Sequence, residues 1–269
     1  DYLSTLGMEL NAEIEILWTG PEIISHEITA NHIAELQLIL KRRPVIWDNL
    51  HANDYDGRRF FCGPYAGRSP ELRELTGGLL LNPNTEFPLN FVPVRTLAKF
   101  VRGEAPWDPR NAYISAMEEW LRRFETISLG VSLEDLVLFG DCYYLPHEEG
   151  PEAEKLIEDV LQLSNGSDPE ISGALAGLKT RSTRLKKFCL QMTELKNRPL
   201  FYALNSRIWE LREELDLLEQ AAEARVANLA CRSDAHLPGT YRGGMVARLQ
   251  KMVIQQPDGL FFIGPTGGH

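Results

Sequence analysis

The sequence lacks the features by which membrane proteins and secreted precursors are recognised. No run approaches the roughly 20 consecutive apolar residues that a membrane span needs, and residues 1–10 have neither the cationic nor the apolar region of a signal peptide. The GxSxG, Walker, HExxH and GxGxxG patterns are also missing, which excludes the most common hydrolase, nucleotide and dinucleotide sites. We therefore expect a soluble chain with no membrane partner and a different kind of site.

Basic residues are few relative to acidic residues. The chain has 28 Lys and Arg against 38 Asp and Glu, a formal net charge of -10. Such a charge opposes nonspecific binding to a phosphate backbone, so we do not expect nucleic acid as a partner. With 269 residues, of which 43% are hydrophobic, the chain is long enough to bury a full core and to form two domains.

Cysteine is also scarce, and its spacing carries no metal or disulfide pattern. No CxxC pair occurs, and each of the four cysteines stands in an apolar context, at Cys62, Cys142, Cys189 and Cys231. This pattern predicts buried thiols rather than disulfides or zinc ligands. It favours a reducing compartment, and we expect the chain to be cytoplasmic.

The first hundred residues alternate short β-rich runs with amphipathic stretches. Strands are predicted at 14–18, 44–47 and 78–81, about 30 residues apart, which fits one βα unit each. Helices are predicted at 29–42 and 90–101. Continuous apolar strands flanked by helices predict an α/β region with a parallel sheet, covered on its outer face by those helices. Three such units are too few to close a barrel by themselves.

The pattern after about Ser128 is helical throughout. Two long helices are predicted at 168–195 and 197–229, each with apolar residues at alternating three and four spacing. They should pack as an antiparallel pair. A seam of this kind is more often plain core than an interface between copies, although both remain open. We therefore divide the chain into an α/β domain, 1–127, and an all-α helical bundle, 128–269.

Polar and aromatic side chains follow the predicted strands where each strand ends. The second strand ends in the string WDNLHANDYD, residues 47–56, and the third ends at Asn82. In parallel αβ barrels the active site lies at this edge. A sugar site needs an aromatic wall and directional amides and carboxylates, a set that the sequence supplies in Trp47, Asn49, Asp54 and Asn82. Each polar residue could instead cap a helix or form a turn, but their convergence favours a site.

A metal site in the same string is the competing hypothesis. Its donors would be His51, Asn53, Asp54 and Asp56. The string does not have the Asp-x-Asp-x-Asp-Gly pattern with a distal Glu of a calcium loop, and it contains one histidine. We therefore predict no metal site.

Together these motifs resemble glycoside hydrolase family 84, whose members include the protein O-GlcNAcases. The resemblance rests on residues 18–21 (WTGP), 44–56 (PVIWDNLHANDYD) and 82–84 (NPN). It continues at 144–151 (YLPHEEGP) and 241–244 (YRGG), which are similar to the helical stalk domain that follows the family's barrel. Essentially the whole chain is covered.

The resemblance implies a fold and a role for each strand-end residue. Residues 1–127 would be the carboxyl-terminal portion of a (β/α)8 TIM barrel, and 128–269 the stalk. Asp54 and Asn82 would hydrogen-bond the hydroxyls of a terminal N-acetylglucosamine, with Asn49 beside them and Trp47 walling the site. The family cleaves with retention of configuration by substrate assistance, and needs no metal or organic cofactor.

The family's proton transfers depend on two adjacent aspartates at the end of an earlier barrel strand. This sequence contains no such pair, so we assign no catalytic residue and expect the pair upstream of Asp1. The partners implied are an N-acetylglucosamine-bearing glycoprotein or glycan, the amino-terminal part of the same catalytic domain, and a second copy bound through the stalk. The alternative is a noncatalytic dimerisation or scaffold module derived from such an enzyme.

Overall fold

The computed structural model describes residues 2–57, 59–103, 106–165 and 168–227, with the backbone of three short strands between 231 and 263. Most of these residues are helical. The helices are α1 Tyr2–Glu9, α2 Ala30–Leu40, α3 Leu72–Leu75, α4 Phe91–Arg102, α5 Pro109–Leu121, α6 Leu133–Asp141, α7 Pro151–Asn165, α8 Asp168–Thr193 and α9 Arg198–Val226, with a 3-10 turn at Phe87–Asn90. Among the described residues, none of the helices combines the length and the apolar character that crossing a membrane requires.

The predicted parallel sheet is confirmed. Strands β1 Leu17–Trp18, β2 Val45–Asp48 and β3 Gly78–Leu81 lie in the order β1-β2-β3, and both pairings are parallel. Strand β1 is shorter than the predicted 14–18. The guanidinium of Arg42 binds the backbone carbonyl groups of residues 10, 11 and 14, so the carbonyl of residue 14 bonds a side chain instead of a neighbouring strand.

Helix α2 packs on the sheet and is capped at both ends. Its N-cap Thr29 accepts a hydrogen bond from the backbone N–H of His32 at 3.2 Å, and Lys41 closes it in the left-handed conformation. Helix α2 buries Ile33, Leu36 and Leu40 in a small core whose other members are Ile28, Ile46 and Leu72. Helix α4 ends at Gly103, whose φ of 76° suits glycine. Both predicted helices are thus confirmed to within two residues at each end.

A larger core joins the loop after β2 to the helices that follow. This loop contributes buried aromatic side chains, Phe60 and Tyr65 among them, and the helices contribute Trp120, Phe139 and Phe188. The rings of Phe139 and Phe188 stack with centroids 4.6 Å apart. The core therefore contains residues from both sides of the predicted boundary at 127/128.

Three cysteines are buried free thiols, as predicted, at 62, 142 and 189; the side chain of Cys231 lies outside the described residues.

The two long helices pack against each other as predicted. Lys186 of α8 pairs with Asp216 of α9 at 2.9 Å, and Lys179 pairs with Glu223 at 2.6 Å. A lower number on α8 therefore meets a higher number on α9, which makes the pair antiparallel.

The prediction that residues after 128 are helical throughout is wrong near the end of the chain. Strands β4 Cys231–Arg232, β5 Val253–Gln255 and β6 Leu260–Ile263 form a second sheet, antiparallel, in the order β4-β6-β5. The cause is visible in the sequence, because β-branched and aromatic runs flank a Pro-Asp-Gly turn signal at 257–259. The stalk-like motif at 241–244 lies outside the described residues.

Candidate functional site

The structure brings the four predicted sugar-binding residues together. Trp47 donates its indole N–H to Asn49 Oδ1 at 3.1 Å. Asn82 donates from Nδ2 to the same oxygen at 3.1 Å and to Asp54 Oδ2 at 3.4 Å. We call these four side chains the rim cluster. They form one connected set rather than four separate turns or caps.

The register of the parallel sheet explains this convergence. Asp48 lies opposite Leu81 in the ladder, and the backbone N–H of Asn82 donates to the carbonyl of Asp48 at 2.8 Å. The residues that follow both strands therefore leave the sheet side by side. Asn49 is fixed further by its Nδ2, which donates to the carbonyl of Ile23 in the loop after β1 at 2.7 Å.

The rim cluster is accessible to solvent. The Trp47 side chain is 39% exposed although the ring is large and apolar. Asp54 is exposed, and Asn49 and Asn82 are half-buried. An exposed indole beside a carboxylate and two amides can offer a flat apolar wall together with directional donors and acceptors, which is the chemistry that a pyranose requires.

Other polar residues of the same string support the loop from inside the protein. His51 is fully buried, and its Nε2 lies 2.9 Å from the carbonyl oxygen of Gly63. Burial lowers the pKa of His51 to about 4, so the ring is neutral at pH 7. Asn53 is also buried; its Nδ2 donates to the carbonyl of Arg59 at 2.8 Å, and its Oδ1 accepts from the N–H of Thr85 at 2.7 Å. In the part of the chain that the structure describes, no three His, Cys, Asp or Glu residues are grouped so as to hold a metal ion.

Two supporting arginines carry no signal in the sequence. Arg68 forms a buried ion pair with Asp48, the residue that precedes Asn49 of the rim cluster. Arg207 of α9 reaches Glu86 in the loop after β3. Both arginines are separated in sequence from their partners and lack a local motif, and Arg207 stands in a heptad helix where a charged residue usually faces solvent.

The amino-terminal half of the chain is similar to known proteins. Residues 1–130 match the family model described as beta-N-acetylglucosaminidase. The Protein O-GlcNAcases of Rattus norvegicus and Mus musculus are each 44% identical to the chain over 134 residues, which is 50% of this chain. The matched segment spans 14% of the length of these relatives.

Solved structures extend the likeness into the helices. A point mutant of the Thermobaculum terrenum O-GlcNAc hydrolase superposes with a TM-score of 0.70 at 24% identity, covering 85% of this chain and 48% of that one. CpGH84B superposes with a TM-score of 0.67 at 18% identity, covering 82% and 39%. At these identities the likeness shows a shared mixed α/β fold. It reaches beyond residue 130, since 85% of this chain exceeds the segment matched by the family model.

Proposed function

Because residues 1–130 match the beta-N-acetylglucosaminidase family model, we propose that the chain supplies the sugar-binding part of a retaining enzyme. The enzyme removes N-acetylglucosamine from Ser or Thr of glycoproteins. The observation that carries the proposal is the rim cluster, in which an exposed indole, a carboxylate and two amides meet at the carboxyl edge of a parallel sheet. A site for one pyranose ring needs this combination.

In the proposed complex each member of the rim cluster has a separate task. The Asp54 carboxylate accepts hydrogen bonds from sugar hydroxyls, and Asn82 donates and accepts beside it. The Trp47 ring packs against an apolar face of the pyranose. Asn49, which bonds both Trp47 and Asn82, holds these two side chains in a fixed relation.

We also propose that residues 1–127 are the last βα units of a (β/α)8 barrel and that 128–269 form a stalk that ends in a small sheet. In the described residues, β1 and β3 pair with β2 alone, so each has an outer edge that faces no further strand. A strand edge of this kind suits continued pairing with the amino-terminal part of the same domain. The exposed Leu17 and Leu80 side chains support this continuation.

The proposed chemistry is substrate-assisted. The acetamido carbonyl oxygen of the substrate forms a bond to the anomeric carbon while the glycosidic oxygen leaves with a proton, and water then opens the cyclic intermediate with net retention. Two adjacent aspartates in the amino-terminal part of the domain would orient the acetamido group and transfer the protons. The residues of this chain bind and position the sugar.

Two further proposals concern partners and compartment. A second copy would bind through the helices, which is supported by two exposed aromatic side chains on α9, Tyr202 at 70% and Trp209 at 59%. The buried free thiols support a reducing compartment, the cytoplasm.

The test compares Asp54→Ala with Asp56→Ala in the chain assembled with the amino-terminal half of the barrel. A hydrogen bond from a hydroxyl to a charged carboxylate contributes about 1.5–3 kcal/mol, so Asp54→Ala should bind an N-acetylglucosamine-mimicking inhibitor roughly ten- to a hundredfold more weakly. Asp56→Ala removes a carboxylate from the same loop whose partner is Arg59 and should retain affinity. Equal affinities in the two variants would contradict the sugar-binding role. Glycosidase activity on assembly would contradict the alternative, a noncatalytic scaffold.

A further inference from the structure

Helix α9 contributes a buried guanidinium that contacts both loops that carry the rim cluster. Arg207 is 3% exposed. Its Nη2 donates to the carbonyl oxygens of Gly57 and Arg59, both at 3.0 Å, and to Glu86 Oε1 at 2.7 Å. All three acceptors belong to the loops that follow β2 and β3.

Each of these two loops carries a residue of the proposed sugar site. The β2 loop, residues 49–59, contains Asp54, and the β3 loop, residues 82–86, contains Asn82. Glu86 connects them as well, because its Oε2 accepts from Asn53 Nδ2 at 3.1 Å while its Oε1 is held by Arg207. Arg207 and Glu86 therefore tie the segment next to Asp54 to the segment next to Asn82.

The direct contact between Asn82 and Asp54 is weaker than the bond between Arg207 and Glu86. Asn82 Nδ2 and Asp54 Oδ2 are 3.4 Å apart, at the long end of the hydrogen-bond range, whereas Arg207 and Glu86 are 2.7 Å apart and oppositely charged. Burial raises the pKa of Glu86, but its hydrogen bond and charge interaction with Arg207 outweigh this effect and hold the pKa below its usual value. The short, charged bond between Arg207 and Glu86 therefore connects the two loops. The longer contact between Asn82 and Asp54 lies at the exposed rim, where a ligand can replace it.

Arg207 is itself fixed by the helical part of the chain. Its Nη1 donates to the carbonyl of Ala203 at 2.6 Å, and its own carbonyl accepts from the Tyr143 hydroxyl at 2.9 Å. The guanidinium also lies over the ring of Phe60, 5.7 Å from the centroid. A rigid, planar donor of this kind has an orientation that a flexible ammonium cannot reproduce.

We infer that Arg207 is a positioning residue for sugar binding, which sets the separation of the β2 and β3 loops so that Asp54 and Asn82 bind the same pyranose. The inference rests on the proposed function. It assigns to the long helix α9 a direct effect on substrate affinity, exerted through Glu86 and the backbone of the β2 loop.

The test uses Arg207→Lys, which keeps the charge facing Glu86 but loses the planar fork. In the chain assembled with the amino-terminal half of the barrel, KM should rise about tenfold because a displacement of about 1 Å is costly at a binding site, while kcat should change much less. The side-chain amide signals of Asn49 and Asn82 should shift in the nuclear magnetic resonance spectrum of the chain alone. The matched control is Arg212→Lys, a half-exposed arginine on the same helix, which should leave the constants and the amide signals unchanged.

A folded Arg207→Lys variant with wild-type KM and unshifted amide signals would overturn the inference. This failure can be distinguished from failure of the proposed function by Asp54→Ala. If Asp54→Ala weakens inhibitor binding and Arg207→Lys does not, the positioning role alone is wrong. If neither variant weakens binding, the sugar site itself is wrong and the positioning role falls with it.

Discussion

Asp48 and Arg68 form a bidentate ion pair in the interior, next to Asn49 of the rim cluster in the chain. Arg68 Nη2 lies 2.6 Å from Asp48 Oδ1, and Nε lies 2.7 Å from Oδ2, with both side chains at most 1% exposed. Arg68 Nη1 also donates to the carbonyl oxygens of His26 and Ala66 at 3.0 Å. Since Asp48 ends β2 and Asn49 follows it, this pair fixes the strand end from which the rim cluster begins.

Breaking this pair should cost a large part of the stability. Arg68→Met leaves the Asp48 carboxylate buried without its cation, so the free energy of unfolding should fall by about 3–5 kcal/mol in urea denaturation. The control is Lys155→Met, which removes a half-exposed lysine paired with Glu152 on the surface of α7 and should change the stability by less than about 1 kcal/mol. Similar losses in the two variants would show that Arg68 does not act through a desolvated charge pair.

The strand ends and the rim cluster could be predicted because their signals are local. A short apolar run that stops at polar residues indicates a buried strand and its end, and parallel pairing places successive strand ends together. Trp47 and Asn82 therefore meet at the carboxyl edge of the sheet, although they are far apart in the sequence. For this prediction the helices matter only because they cover the sheet.

The supports beneath the rim could not be predicted because their partners are distant in sequence. Arg207 is 150 residues from Gly57 and 121 from Glu86, and no periodicity connects such positions. Arg207 also lies in the heptad helix α9, and its position in the heptad does not show whether its charge is solvated or buried. The second sheet does have a local signal, the turn sequence at 257–259, but this signal is short and follows a long helical pattern.

Two glycines of the β2–β3 connection should respond differently to the same substitution. Gly63 donates its N–H to the carbonyl of Tyr144 at 2.6 Å, and an added Cβ would lie 2.4 Å from that oxygen. Gly63→Ala must therefore move backbone and should lower the free energy of unfolding by about 1–3 kcal/mol. Gly57→Ala places its methyl group in open space and should change stability by no more than about 0.5 kcal/mol. Thermal or urea unfolding of both variants measures the contrast, and equal effects would contradict the close packing at Gly63.

Helix α8 offers a second matched pair. Phe188 is fully buried and its ring packs on Phe139, whereas Leu190 is 56% exposed two residues later. Phe188→Ala should lower the free energy of unfolding by about 3–5 kcal/mol, because it leaves a cavity in the larger core. Leu190→Ala should cost about 0.5 kcal/mol or less. A small loss for Phe188→Ala in urea denaturation would mean that α8 does not pack on α6 as described.

The acid sensitivity of the fold should depend on His51. Its Nε2 donates to the carbonyl of Gly63 in the neutral ring, and burial lowers its pKa from 6.5 to about 4. Between those two values the unfolded chain binds a proton that the folded chain does not, so stability falls as the pH decreases from about 6.5 to 4. The contribution from this one group is about 3 kcal/mol.

His51→Gln has no titrating ring, so the stability of the wild type relative to this variant should decrease by that amount over the same pH interval. Urea denaturation at a series of pH values measures the difference, in which acid effects from other groups cancel. A difference that stays constant from pH 7 to 4 would show that His51 is not held neutral in the folded chain.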